Sequence, residues 1–198
     1  MKRIPLFFLS LVLCLSLLFG ISQPVSAYSF NGAKITSPMV FYAYSGFGST
    51  TKSHMRSAAL QWNALIDDFA PLVMSTSTHS ISSGDTFYQP DGKNCIYRFE
   101  AGTQYVAQTR LTIVSAVLTE FDININVSHS WANSAQPNCY DVYSIMLHEL
   151  GHAMGLADLY DGSGLSYDTA VMWYKAYQNS TKRELKQDDI NGIAAKYN

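Results

Sequence analysis

Two histidines separated by three residues, the first followed at once by a glutamate, carry the densest chemistry in the chain: His148-Glu149-Leu150-Gly151-His152. On a helix, residues at that spacing stand one turn above each other, so both imidazoles can aim a ring nitrogen at one metal ion. Zinc suits such donors; a catalytic zinc takes three protein ligands and keeps a fourth position open. Glu149 is badly placed to join the ligands but well placed to reach a water on the open position. Zinc lowers the pKa of such a water to about 7, so a neighbouring carboxylate can take its proton as general base and later pass it to a leaving amine. Gly155 follows at the interval where a helix ends in a left-handed residue and the backbone turns sharply, which brings Asp158 back toward the metal.

The elements that must hold these residues are visible as periodicity. From Asp141 to Met154, Val142, Ile145, Met146 and Leu150 line one helical side, and Pro137-Asn138 are available to start the segment. A second helix is expected between Thr51 and Phe69, with Met55, Ala58, Ala59, Trp62, Leu65, Ile66 and Phe69 on one face and Pro71 ending it. From Leu72 to Val127 short strands alternate with turns such as Pro90-Asp91-Gly92 and Ala101-Gly102. In Phe121 to Val127 every second residue is apolar, the pattern of a strand whose Asp and Asn side chains face water or substrate. A last short helix is expected from about Gln187 to Lys196, after a glycine- and aromatic-rich loop from Gly155 to Tyr177.

The chain of 198 residues fits a single unit, with no repeat or charged linker to divide it. Lys2-Arg3, an apolar run from Leu6 to Phe19 and the small-x-small triplet Val25-Ser26-Ala27 make residues 1–27 a signal peptide, leaving 28–198 as the catalytic domain. The apolar run is shorter than the roughly 20 residues of a spanning helix and is broken by Gly20 and Pro24, so no membrane attachment is expected after its removal. Loss of Lys2 and Arg3 takes the formal net charge from −2 to −4, which argues against a nucleic-acid partner. Cys14 leaves with the signal. Cys95 and Cys139 remain, an even number in an oxidising compartment, and are expected to form a disulfide that stabilises by roughly 4 kcal/mol.

The motif His148-Glu149-x-x-His152-x-x-Gly155-x-x-Asp158, followed by Met172 in Thr169-Ala170-Val171-Met172-Trp173-Tyr174, resembles the metzincin clan of zinc peptidases and its Met-turn. Within the clan the chain is similar to the matrixins: Leu185 to Ile193 resembles their C-terminal helix, and Leu118 to Ile125 the strand bordering their substrate cleft. Matrixins usually carry histidine where this chain has Asp158. Snapalysins use aspartate there, and a carboxylate oxygen is an acceptable zinc ligand. The resemblance therefore implies His148, His152 and Asp158 as the metal set, with Asp161 as the alternative third ligand. It implies a structural role for Met172 beneath the histidines. Tyr174 stands where astacin-like enzymes place a tyrosine that stabilises the developing oxyanion, which makes it a second catalytic candidate beside Glu149.

The expected architecture is α+β, a metzincin-type domain with a twisted mixed five-stranded sheet, long helices and an active-site helix. An extended peptide or protein substrate would add a strand along an edge formed by Phe121 to Val127, with Trp173, Tyr174 and Tyr177 shaping the pocket beyond the scissile bond. The expected function is secreted zinc endopeptidase activity by a monomer. The alternatives are a non-catalytic binding module on the same fold, against which the intact Glu149 argues, and a zinc hydrolase acting on something other than protein. Calcium is a further candidate, with Asp85, Asp91 and the Asp161-Gly162 loop as oxygen donors, although no loop has an established calcium spacing. His54, His79 and His129 lack partners at ligand spacing and are expected to be solvated. Tyr28-Ser29-Phe30 follow the signal directly, which leaves no room for a propeptide with an inhibitory cysteine.

Overall fold

A computed structural model describes residues 28–81, 84–160 and 169–197. Residues 1–27, expected to be a signal peptide, and Asp161, expected as the alternative third ligand, lie outside the described residues. Strand β1 (Met39–Tyr44), not singled out from the sequence, puts Met39, Phe41 and Ala43 into the core through simple alternation. Helix α1 (Ser49–Asn63) follows and buries Met55, Ala58, Ala59 and Trp62. Each large apolar side chain so buried stabilises by about 2–3 kcal/mol. The helix stops at Asn63, well short of Pro71. The Asn63 amide binds both backbone groups of Leu72, at 3.0 and 2.8 Å, and so pins the return strand against the last helical turn. Leu65, Ile66 and Phe69 still pack on the core, but from irregular backbone.

Strands β2 (Leu72–His79), β3 (Asn94–Phe99), β4 (Ala107–Val114) and β5 (Val117–Asn126) complete a five-stranded sheet in the order β2-β1-β3-β5-β4, with the short helix α2 (Gly84–Phe87) between β2 and β3. All neighbours are parallel except β4 with β5, which form a hairpin through Ser115 and Ala116. Both turn residues have positive φ, 51° and 65°, as the right-handed twist of a two-residue hairpin requires. A small pair, β6 (Trp131–Ala132) and β7 (Tyr140–Asp141), leads into helix α3 (Val142–Ala153), and α4 (Gln187–Tyr197) closes the chain. Helices α1 and α3 share one core on the same side of the sheet, linked where Trp62 Nε1 donates to the Leu147 carbonyl at 2.9 Å.

Three expectations need correction. The free edge beside the cleft is β4, because β5 lies inside the sheet with β3 on one side and β4 on the other. The polar face of β5 is not solvated either: Asp122, Asn124 and Asn126 are 2%, 0% and 0% exposed. They accept from the backbone N–H groups of Cys95, Phe99 and Ala101 at 3.0, 3.1 and 3.1 Å, and the Asn126 amide donates to Gly102 and Tyr105 carbonyls. The chain running from β3 to β4 lies over that face, and these side chains satisfy its buried backbone. Finally, Cys95 and Cys139 are free thiols. Cys95 packs with Phe87 and Tyr97 on the sheet face away from the core helices, whereas Cys139 directly precedes β7 and α3.

Candidate metal centre

Helix α3 begins at Asp141 rather than at Pro137-Asn138: the Asp141 carboxylate caps it by accepting from Ser144 N at 2.9 Å. Burial opposes ionisation of Asp141, but the paired Arg183 guanidinium, which donates from Nε at 3.0 Å, and the Ser144 donors outweigh it and hold the carboxyl below its usual range. One face of α3 enters the core, and His148 and His152 stand on the side toward the cleft, with their rings 4.8 Å apart. His148 Nδ1 donates to the Val171 carbonyl at 2.8 Å and His152 Nδ1 to the Leu156 carbonyl at 2.9 Å. Those bonds place the ring proton on Nδ1 and leave both Nε2 lone pairs for a metal.

The helix ends as the sequence implies. Gly155 has φ +94°, and a Cβ there would overlap the Ala33 carbonyl and the Lys196 side chain. The chain then doubles back, tied to the N-terminal segment by Asn31, whose side chain donates to the carbonyls of His152 and Leu156 at 2.8 and 3.0 Å. Asp158 Oδ1 thus comes to 3.1 Å from His148 Nε2 and 3.6 Å from His152 Nε2. Its other oxygen accepts from the Tyr160 hydroxyl at 3.3 Å. Burial disfavours a charged His148, yet its contacts with Asp158 and Glu149 hold its pKa above the ordinary value, and burial of Asp158 is likewise outweighed by His148, which holds that carboxyl low.

Among the described residues, His148, His152 and Asp158 form the one set of three imidazole, thiolate or carboxylate groups whose ligand atoms lie within 4.8 Å of one another. Asp85 and Asp91, considered for calcium, belong to no such set. Glu149, 5% exposed, faces the same cleft, and its Oε2 accepts from the Thr109 hydroxyl on β4 at 2.6 Å. Met172 is buried against α3 at Gly151, where any Cβ would overlap the Met172 sulfur and press on Trp62. The turn carrying Met172 is held by Asp189 of α4, which is 1% exposed and accepts from the N–H groups of Val171, Met172 and Lys186 at 3.0, 3.1 and 2.8 Å. A continuous chain of bonds therefore runs from α4 through the turn to the His148 ring.

The cleft has a volume of about 650 Å³ and is walled by β4 from Ala107 to Leu111 and, opposite, by Trp173, Tyr174 and Tyr177. Tyr174 is 39% exposed and stacks on Tyr160 with ring centroids 4.7 Å apart, so the tyrosine touching Asp158 is Tyr160. Thr109, Tyr160 and the carbonyls of Val171 and Leu156 had no mark in the sequence, since none has a diagnostic type or spacing. The other histidines are partly buried and mostly structural: His79 Nε2 meets the Ile96 carbonyl, His129 Nε2 the Tyr105 carbonyl, and His54 packs on Tyr143.

A family model for the matrixins matches residues 30–198, and the chain belongs to the matrixin family. Over 76 residues it is 34% identical to the interstitial collagenase of Bos taurus and 36% identical to matrix metalloproteinase-20 of Homo sapiens; the stretch is 38% of this chain and 14% of each relative. A neutrophil collagenase of Homo sapiens is 32% identical over the same length, 15% of that protein. The matched stretch thus spans about a seventh of these relatives. Family membership implies zinc dependence, and the tautomers and convergence of the two imidazoles and the carboxylate suit that ion.

Proposed function

We propose that the protein is a secreted zinc-dependent endopeptidase in which His148, His152 and Asp158 hold the metal and Glu149 is the general base. The convergence of the three ligand atoms at the floor of a cleft bordered by a free strand edge carries this reading. Zinc held there supplies Lewis acidity, which eases deprotonation of water and polarises a carbonyl oxygen. Glu149, one residue from His148, takes the proton of the attacking water and delivers it to the departing amine. Strand β4 offers its unpaired backbone groups to an extended peptide, whose ladder fixes the scissile bond over the metal set. The Tyr174 hydroxyl, on the opposite wall, is our candidate for stabilising charge on the carbonyl oxygen; a Tyr174→Phe enzyme with unchanged kcat would remove it.

Secretion is supported by the composition of residues 1–27, and among the described residues no helix is long and apolar enough to cross a membrane. The test is cleavage of casein and a peptide library by purified protein, with and without chelator, beside Glu149→Ala, together with zinc content by mass spectrometry. Zinc-dependent cleavage that fails in Glu149→Ala is expected. Cleavage surviving both changes would overturn the mechanism, and a zinc-loaded wild type without turnover would favour a binding module.

A further inference from the structure

We propose that Thr109 is a positioning residue that fixes the Glu149 carboxylate for proton transfer; the inference rests on the peptidase reading above. Its side chain lies on the face of β4 turned toward α3, while its neighbour Arg110 points to the other face and donates to the Phe87 carbonyl at 3.2 Å. The Thr109 hydroxyl lies 2.6 Å from Glu149 Oε2 and 3.1 Å from the Glu149 main-chain oxygen. A hydroxyl has one proton, and the shorter contact to a carboxylate is the charge-assisted bond that takes it. A glutamate side chain turns about three torsions, so a carboxylate facing an open cleft needs a tether to stay within reach of a reacting water. The bond occupies Oε2 and leaves Oε1 as the oxygen that accepts the proton.

The tether also comes from a specific place. Strand β4 is the free edge on which the peptide is proposed to bind, and its pairing with β5, Thr109 opposite Ile123, makes it part of the rigid sheet. The strand that would register the substrate therefore also registers the base. Threonine in a strand is ordinary for its β-branched shape alone, so the test has to separate the hydroxyl from the volume.

Thr109→Val keeps the shape and removes the donor, Thr109→Ala removes both, and Thr109→Ser restores the donor. The expected result is a kcat lowered about 10-fold in Val and Ala with KM and zinc content unchanged, and recovered in Ser, as for loss of a hydrogen bond to a charged group. A second readout needs no turnover: in 13C-labelled protein the Glu149 carboxyl resonance, assigned by its loss in Glu149→Gln, should move in Val and return in Ser. An unchanged kcat and resonance in Val would overturn the proposal. So would equal damage in Val and Ser, or a Val variant that loses zinc or is impaired in KM alone. A wild type without peptidase activity would remove the functional reading, while the resonance would still report whether the tether exists; a resonance unmoved in Val would then dispose of it.

Discussion

Two buried carboxylates, Glu149 on α3 and Asp122 on β5, sit on opposite faces of the same sheet and behave as opposites. Asp122 is enclosed. Burial pushes its pKa up to about 7, the Cys95 N–H opposes that, and the neighbouring charges of Glu120 and Asp91 raise it further against a partial offset from Arg110. Its work is to accept from backbone, and it does that without needing charge. Glu149 has one hydroxyl donor, a neighbouring imidazole and an open cavity in front of it. Burial of an acidic group is thus common to the structural and the chemical face. What distinguishes the chemical face is that several donor atoms converge on space a ligand can enter.

The contrast can be broken most severely at Glu149 itself. Replacing it with Ala should lower peptide turnover about 10³-fold, whereas Asp122→Asn should leave turnover at the wild-type level; similar losses from both, measured on one peptide, would erase the distinction. Asp158→Ala should abolish tight zinc binding, visible as loss of metal during dialysis against chelator, and full retention of zinc would remove Asp158 from the ligand set. The wild type should itself lose thermal stability when zinc is stripped, because an ion held at a thousand times its Kd stabilises the fold by about 4 kcal/mol.

A smaller effect is expected at Asp189, where Ala leaves three backbone donors without their acceptor. Urea unfolding should show a cost of about 3 kcal/mol, and a loss below half of that would mean that the turn under the histidines holds itself. Smaller again is Asp122→Asn, which keeps an oxygen for Cys95 N–H and removes the like charge. The folded-state pKa lies above the ordinary 3.8, so the native state favours the protonated form and this carboxyl costs stability as pH rises from about 4 to 7. The variant should match wild-type Tm near pH 4, exceed it by several degrees from about pH 7 upward, and hold that lead at higher pH. An equal Tm at pH 8 would show that the cluster pays nothing for its charges. The thiols give the mildest test: unfolding without reductant should expose two alkylatable cysteines, and a mass short of two adducts would restore the disulfide.

Much of this site was legible because its defining pattern is local. Helical spacing decides that His148 and His152 share a face, and a left-handed turn at Gly155 decides the direction of the next residues, whatever the rest of the chain does. The matrixin likeness extended that to Met172 and the C-terminal helix containing Asp189. Strand identity was harder. The alternation in Phe121 to Val127 is a true strand signal, but alternation says only that two faces differ; here the chain from β3 to β4 covers the polar face, and no local pattern announces it.

The sequence alone therefore determined the donor types, the glutamate beside them and the helix that carries them, since each follows from spacing within a few turns of backbone. Only the tertiary structure decided which strand is the edge, that Thr109 meets Glu149 across 40 residues, that Tyr160 holds the far oxygen of Asp158, and that Cys95 and Cys139 stay unpaired. Those are contacts between segments distant in sequence, fixed by strand order and by which face each side chain takes. Such choices depend on the energy of the whole packed core, and no short window of residues records them.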